Sequence, residues 1–201
     1  MSIIKKCINY VIYHVALAER KAKYGALKEK YGFDEWHMTP KWCKPYINDV
    51  VQFIASTMDN SSEGYIVDIG CGLCDILGDK RLKGHNRMGY DLSEAVCKAN
   101  AELYSDFTVK QGSFDKVIDL KIDYLLALNF THGISVEDMK AYWDKVTATN
   151  DVDRIIVDEV TGNYTYAHDF SDMIEGYETE KVLTGYSSDG GTRQIRILRR
   201  K

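Results

Sequence analysis

The chain has 201 residues, 45% apolar and 28% charged, which suits one soluble domain with a full hydrophobic core. Its formal charge is −4, which argues against a general nucleic-acid binder. The five cysteines are an odd count without a framework spacing, so the sequence points to a reducing, cytoplasmic compartment and not to a disulfide scaffold.

Ile4, Ile8, Val11, Val15 and Ala18 recur at helical spacing. They predict an amphipathic helix docked on the domain; the other reading is peripheral contact with a membrane surface. The run is too short and too polar to span a bilayer. A charged helical continuation follows from Ala22 to Tyr31 and ends near Gly32. Phe33 to Tyr46 then concentrates two tryptophans, a histidine and both prolines of the chain. This segment is either an aromatic plug at one end of the core or a lid over a pocket. As a lid it makes Trp36, His37 and Tyr46 substrate-binding candidates. Pro45 can open a helix with Ile47, Val50, Val51, Ile54 and Met58 on one apolar face. Residues 1–60 read as a helical cap of the same domain, and 61–201 as its ligand-binding part.

Tyr65 to Val67 is an apolar run that reads as a buried strand. Asp68 ends it, Gly70 and Gly72 flank Cys71, and Ile76 and Leu77 lead into what reads as a short helix. Glycines let a backbone approach a ligand, and a helix N-terminus offers unpaired N–H groups. Arg87 to Asp91 reads as the second strand, with Ser93 capping a helix from Glu94 to Leu103. Phe107 to Gln111 reads as the third strand and Asp123 to Asn129 as the fourth. The link between them, Gly112 to Lys121, is short for a parallel crossover, so its helix is expected to be trimmed to a turn. Ser135 to Asp138 is a capping-box pattern opening a helix through Val146, with Met139, Tyr142, Trp143 and Val146 as its buried face. Arg154 to Val160 reads as the fifth strand and His168 to Ile174 as a short helix. Glu178 to Tyr186 and Thr192 to Arg199 form a closing hairpin. The basic end, from Arg196 to Lys201, reads as a solvated terminus.

The stretch VDIGCG resembles the first motif of the class I S-adenosylmethionine-dependent methyltransferases, and MGYDLSEAV resembles their second strand with its terminal acid. Where that family often has a third glycine, this chain has Cys74. The resemblance implies an α/β, Rossmann-like sheet, mostly parallel with an antiparallel C-terminal strand. It implies S-adenosyl-L-methionine as cofactor. Asp68, Gly70, Cys71 and Gly72 would hold it, with Asp91 on the ribose hydroxyls and Leu92 beside it. Ser113 and Phe114 would lie at the adenine, with Asn129 opening the loop after the fourth strand. The amino-methylating nucleic-acid enzymes carry prolines after that asparagine. This chain has none there, so a nucleic-acid acceptor is not expected.

Ligands of open α/β sheets bind beyond the carboxyl ends of the strands, which puts His132 where an acceptor hydroxyl should lie. A histidine near its normal pKa can take the proton of that hydroxyl; otherwise it is a loop residue that bonds backbone. His168, followed by Asp169, is the second candidate base. Asp158 and Glu159 with His168 could ligate a divalent ion, but further carboxylates are lacking and no metal is expected.

The reading is a methyltransferase acting at oxygen on a small molecule or a sugar. Three alternatives remain: a binding protein that kept the fold without turnover, a protein methyltransferase, and an oxidoreductase using Cys71 and Cys74 as a C-x-x-C pair. A nicotinamide turn is disfavoured because Asp75 stands where its last glycine or alanine belongs.

Overall fold

A computed structural model describes residues 3–188 and 190–201. Helix α1 spans Ile3–Tyr31 and closes on Gly32, whose N–H returns to the Lys28 carbonyl at 2.8 Å with φ at +76°. Two short 3-10 turns, Glu35–Met38 and Lys41–Cys43, lead to α2, Tyr46–Thr57. Then come β1 (Tyr65–Ile69), β2 (Asn86–Asp91), α3 (Glu94–Leu103), β3 (Thr108–Gln111), β4 (Lys121–Ala127), α4 (Val136–Thr149) and β5 (Asp151–Val160). The chain ends with β6 (Tyr177–Ser188) and β7 (Gly191–Arg200).

The seven strands form one sheet in the order β3-β2-β1-β4-β5-β7-β6. The first five pair in parallel, and β7 runs antiparallel to both β5 and β6. Parallel strands are buried on both faces and so read as continuous apolar runs. Successive residues of β1 show this: Ile66 packs toward α2, and Val67 toward α4. The chain proceeds outward from β1 to β3 and then returns to place β4 on the other side of β1. The β1–β4 boundary is therefore the topological switch point, where a crevice opens beyond the strand ends.

Local signals account for much of this. The Ser93 side chain accepts from Val96 N and caps α3; that of Ser135 accepts from Asp138 N and caps α4. The trimmed link before β4 is a single 3-10 turn, Phe114–Lys116.

Four expectations are corrected. The segment after the glycine turn, residues 72–78, is a run of turns and not a helix. Residues 168–174 form no helix. Tyr142 on α4 is 40% exposed, whereas Met139, Trp143 and Val146 are buried. The N-terminal stripe does not dock: Ile8, Val11 and Val15 face solvent. α1 instead attaches through its second half, where Tyr24 and Leu27 pack with Val96 and Ala99 of α3. The two stripes lie on different sides of one continuous helix, so only one of them can meet the domain. Ile4 lies where side chains are outside the described residues. α2 belongs to the layer covering the sheet, with Val50, Val51 and Ile54 buried in that core. Among the described residues, no helix is long and apolar enough to cross a membrane.

Candidate functional site

A cavity of about 650 Å³ opens at the switch point. Its floor is the turn after β1. Gly70 and Gly72 have φ of +69° and +51°, and Cys74 adopts +55°, so this cysteine takes the left-handed conformation that its glycine counterpart would take without strain. A Cβ on Gly70 would come 2.6 Å from the Phe130 ring. The N–H groups of Gly70 and Cys71 both donate to the Tyr90 carbonyl, which ties the turn to β2.

Asp91 closes one end. Its Oδ2 accepts from Gly72 N at 3.0 Å and its Oδ1 from Ser93 N at 2.9 Å. Each oxygen keeps a lone pair for a ligand hydroxyl. Leu92 and Ser113 also line this end. Phe114, placed at the adenine by the family resemblance, does not line the cavity. It is buried on the far side of the sheet, stacked on Tyr142 at 5.3 Å and edge-on to Trp143 at 5.0 Å. The 3-10 turn that carries it packs on α4, which draws the ring away from the crevice.

Asp68 lies on the cavity wall at 4% exposure, and burial pushes its carboxyl up to about 8, with Asp91 and Asp75 adding repulsion. Asp75 is buried too, but Arg20 Nη1 of α1 reaches its Oδ1 at 2.6 Å and Lys44 Nζ its Oδ2 at 3.4 Å. Burial alone would raise Asp75; Lys44 and Arg20 outweigh it and hold the carboxyl below its ordinary value. Burial pushes the Lys44 ammonium down.

The aromatic segment divides between the core and the cavity. Phe33 and Met38 are buried beneath α1, while Trp36 and His37 face the cavity. Trp36 is 80% exposed at the rim. His37 bonds Asp34 through Nδ1 at 2.8 Å, and its Nε2 lies 4.0 Å from Asp91 Oδ2, so it stands at the Asp91 end.

The other end is built by the loop after β4, by Tyr46 and by β7. Asn129, at φ +69°, accepts from Arg193 Nη1 at 2.7 Å and donates its backbone N–H to Asp158 at 2.9 Å. The Arg193 guanidinium lies 5.0 Å from the Tyr46 ring centre. His132 lines the cavity, with its ring 4.4 Å from that of Tyr164. Burial lowers the proton affinity of His132; Asp158 opposes this, and Arg193 and His168 add to it. His168 does not reach the cavity. It is 6% exposed, and its Nε2 bonds the Thr131 carbonyl at 2.9 Å, so it stands behind the His132 loop.

Two chemistries lose support. Burial raises the Cys74 thiol, and hydrogen bonding to Cys74 together with burial raises Cys71, the opposite of what a reactive pair needs. Asp158 and Glu159 are successive strand residues pointing to opposite faces, and they meet different cations, Arg193 and Arg196. Arg196 is thereby half of an ion pair with Glu159 and not a solvated terminal charge. Among the described residues, no cluster of three potential ligands could hold a metal.

Arg20, Lys44, Tyr164 and Arg193 were not found from sequence. Only Lys44 carried a signal, as a cation inside the aromatic segment. The others reach the cavity from α1, from the β5–β6 connection and from an antiparallel strand.

No protein-family model matches the sequence, and no curated protein does. Solved structures do match. Magnesium protoporphyrin IX methyltransferase ChlM from Synechocystis PCC 6803, with bound S-adenosylmethionine, is 16% identical over 78% of this chain and 79% of its own, with a TM-score of 0.65. The chain has the class I S-adenosylmethionine-dependent methyltransferase fold. A TehB-like methyltransferase from Corynebacterium glutamicum is 16% identical over 79% of this chain and 98% of its own, with a TM-score of 0.54. The methyltransferase domain of bacterial CtHen1 is 17% identical over 77% and 97%, with a TM-score of 0.57.

Proposed function

We propose that this protein is an S-adenosylmethionine-dependent methyltransferase acting at a hydroxyl oxygen of a small molecule or sugar. The observation that carries the reading is Asp68, a buried carboxyl on the cavity wall whose ionised form has no cation bonded to it among the described residues. A ligand ammonium is the partner it lacks. The rest of the cavity fits the same ligand. Asp91 offers lone pairs to ribose hydroxyls, Lys44 offers a cation to a carboxylate, and Gly70 and Gly72 keep the turn free of side chains. The volume also lies in the usual range for a ligand pocket.

When bound, S-adenosylmethionine supplies an already activated methyl group, so alignment and exclusion of water are the main tasks left to the protein. Asp68, Gly70, Cys71, Gly72, Asp91, Leu92 and Ser113 form the cofactor end, which His37 joins from the lid; Asn129, on the loop after β4, stands at the other end, held by Arg193. Trp36 and Tyr46 shape the acceptor end. His132, neutral at physiological pH, takes the proton of the acceptor hydroxyl. The described cysteines 43, 71, 74 and 97 are free thiols, in keeping with a cytoplasmic enzyme.

The test has two parts. S-adenosylhomocysteine should raise thermal stability, by about 2.7 kcal/mol at a hundredfold excess over Kd. His132→Ala should keep that shift and lose turnover by about 10²–10⁴-fold, together with the rise of rate with pH. No shift with either form of the cofactor would overturn the assignment. A shift without turnover on any hydroxyl acceptor would leave a cofactor-binding protein.

A further inference from the structure

His37 reaches the cavity from the lid with all of its polar atoms engaged except one. Asp34 Oδ1 accepts from Trp36 N at 2.9 Å and from His37 N at 3.3 Å, and it bonds His37 Nδ1 at 2.8 Å. The His37 carbonyl accepts from Arg20 Nη2 at 2.8 Å. The ring stands edge-on to the buried Phe33, with centres 6.1 Å apart. Backbone and ring are therefore both held. An ionised carboxylate can only accept, so Nδ1 carries the proton of the neutral ring and Nε2 keeps a lone pair. Nε2 has no hydrogen-bond partner among the described residues. It lies 4.0 Å from Asp91 Oδ2, beyond hydrogen-bond reach. Asp91 is oriented as firmly, by Gly72 N on Oδ2 and Ser93 N on Oδ1. Both residues line the cavity.

Two fixed lone pairs 4.0 Å apart, with no donor joining them, suit a pair of adjacent hydroxyls. A vicinal diol can meet both, one hydroxyl each, at donor–acceptor distances of about 2.8 Å. We infer that His37 is a ligand of the cofactor's ribose: one hydroxyl of the diol donates to Asp91 Oδ2, and its neighbour donates to His37 Nε2. The inference rests on the reading of the cavity as an S-adenosylmethionine site with the ribose at Asp91. It adds a contact from the lid that the glycine turn and β2 do not supply. The bound diol then joins the lid to the end of β2. Trp36 stands on the same 3-10 turn as His37, so the cofactor also steadies the rim that the acceptor meets. A deoxy analogue leaves one of the two lone pairs unmet, which is how a site built for a hydroxyl rejects a ligand without it.

The experiment measures binding of S-adenosylhomocysteine and of its 2′-deoxy and 3′-deoxy analogues to the full chain by calorimetry. His37→Phe keeps a ring against Phe33 and removes both nitrogens. It should weaken S-adenosylhomocysteine by about three- to tenfold, the share of one hydrogen bond. One deoxy analogue should bind wild type and variant alike, because the hydroxyl that His37 meets is already gone. The other should show the full loss. An equal loss for all three ligands, or none for S-adenosylhomocysteine, would overturn the proposal. Where His37→Phe does not fold, the wild-type ring decides by ¹⁵N spectroscopy, with His37 assigned from His37→Gln. The neutral ring should carry its proton on Nδ1, and the Nε2 resonance should move with S-adenosylhomocysteine and stay with one deoxy analogue. An Nε2-protonated ring would overturn the proposal. Wild-type protein that binds no S-adenosylhomocysteine would overturn the cofactor reading and this proposal with it, whereas binding indifferent to both hydroxyls at His37 would overturn the proposal alone.

Discussion

Arg20 Nη1 lies 2.6 Å from Asp75 Oδ1, and both side chains are more than nine-tenths buried. The pair joins the middle of α1 to the turn after β1, and Arg20 Nη2 also donates to the His37 carbonyl at 2.8 Å. One guanidinium therefore ties helix, lid and cofactor turn together. Arg20→Met leaves Asp75 with Lys44 alone, so it should destabilise the protein by about 3 kcal/mol, the low end for breaking a buried pair. Denaturant unfolding checks this. The Asp75 carboxyl is held below its ordinary value in the fold, so its contribution is full above the unfolded pKa and lost as pH falls through the folded one. Arg20→Met should flatten that acid limb. An unchanged midpoint would show that α1 is not anchored here.

Asp68 titrates in the opposite sense. Its folded pKa is about 8 against an ordinary aspartate value of 3.8, so the native state keeps a proton that the unfolded chain releases. Its contribution to stability therefore falls as pH rises across that window. An ammonium bound beside it favours the ionised form, so cofactor binding at neutral pH should release a proton and strengthen toward pH 8. Calorimetry in two buffers of different ionisation enthalpy reads the release directly. Asp68→Asn should abolish it. Equal apparent enthalpies in wild type would place the ammonium elsewhere.

Two glycines should respond oppositely to alanine. Gly70 sits at φ +69°, and an alanine Cβ there would meet Phe130 at 2.6 Å, so Gly70→Ala should cost about 1–2 kcal/mol from backbone strain alone. The displaced ring should weaken S-adenosylhomocysteine binding at least tenfold. Gly25 lies inside α1 with nothing within 4 Å of its Cβ position, and Gly25→Ala should stabilise by about 0.5–1 kcal/mol. Thermal melts and ligand titrations of both variants check the pair.

Thiol labelling with peptide mapping separates the cysteines. Cys43 is exposed and should react in the native protein, whereas Cys71, Cys74 and Cys97 should react only on unfolding. Burial pushes the Cys97 thiol to about 11, with Asp91 adding repulsion. Rapid native labelling of Cys71 would reopen the redox reading.

The sequence by itself determined the layered α/β sheet, the glycine turn after β1 and the acid at the end of β2. Each is written in local pattern: apolar runs for strands buried on two faces, glycine for left-handed backbone, serine for a helix cap. It also placed His132 on a loop that borders the crevice, because strand ends alone decide which loops do. Tertiary structure decided the rest. The side a residue faces and the distance it reaches depend on packing between elements far apart in the chain. Phe114 turned to α4 because its own short turn docks there, and His168 was held behind the loop by the Thr131 carbonyl. Arg20 and Arg193 entered the cavity from a helix and a reversed strand more than a hundred residues apart. The charges that meet each carboxylate follow from that convergence, so no local spacing could have announced them.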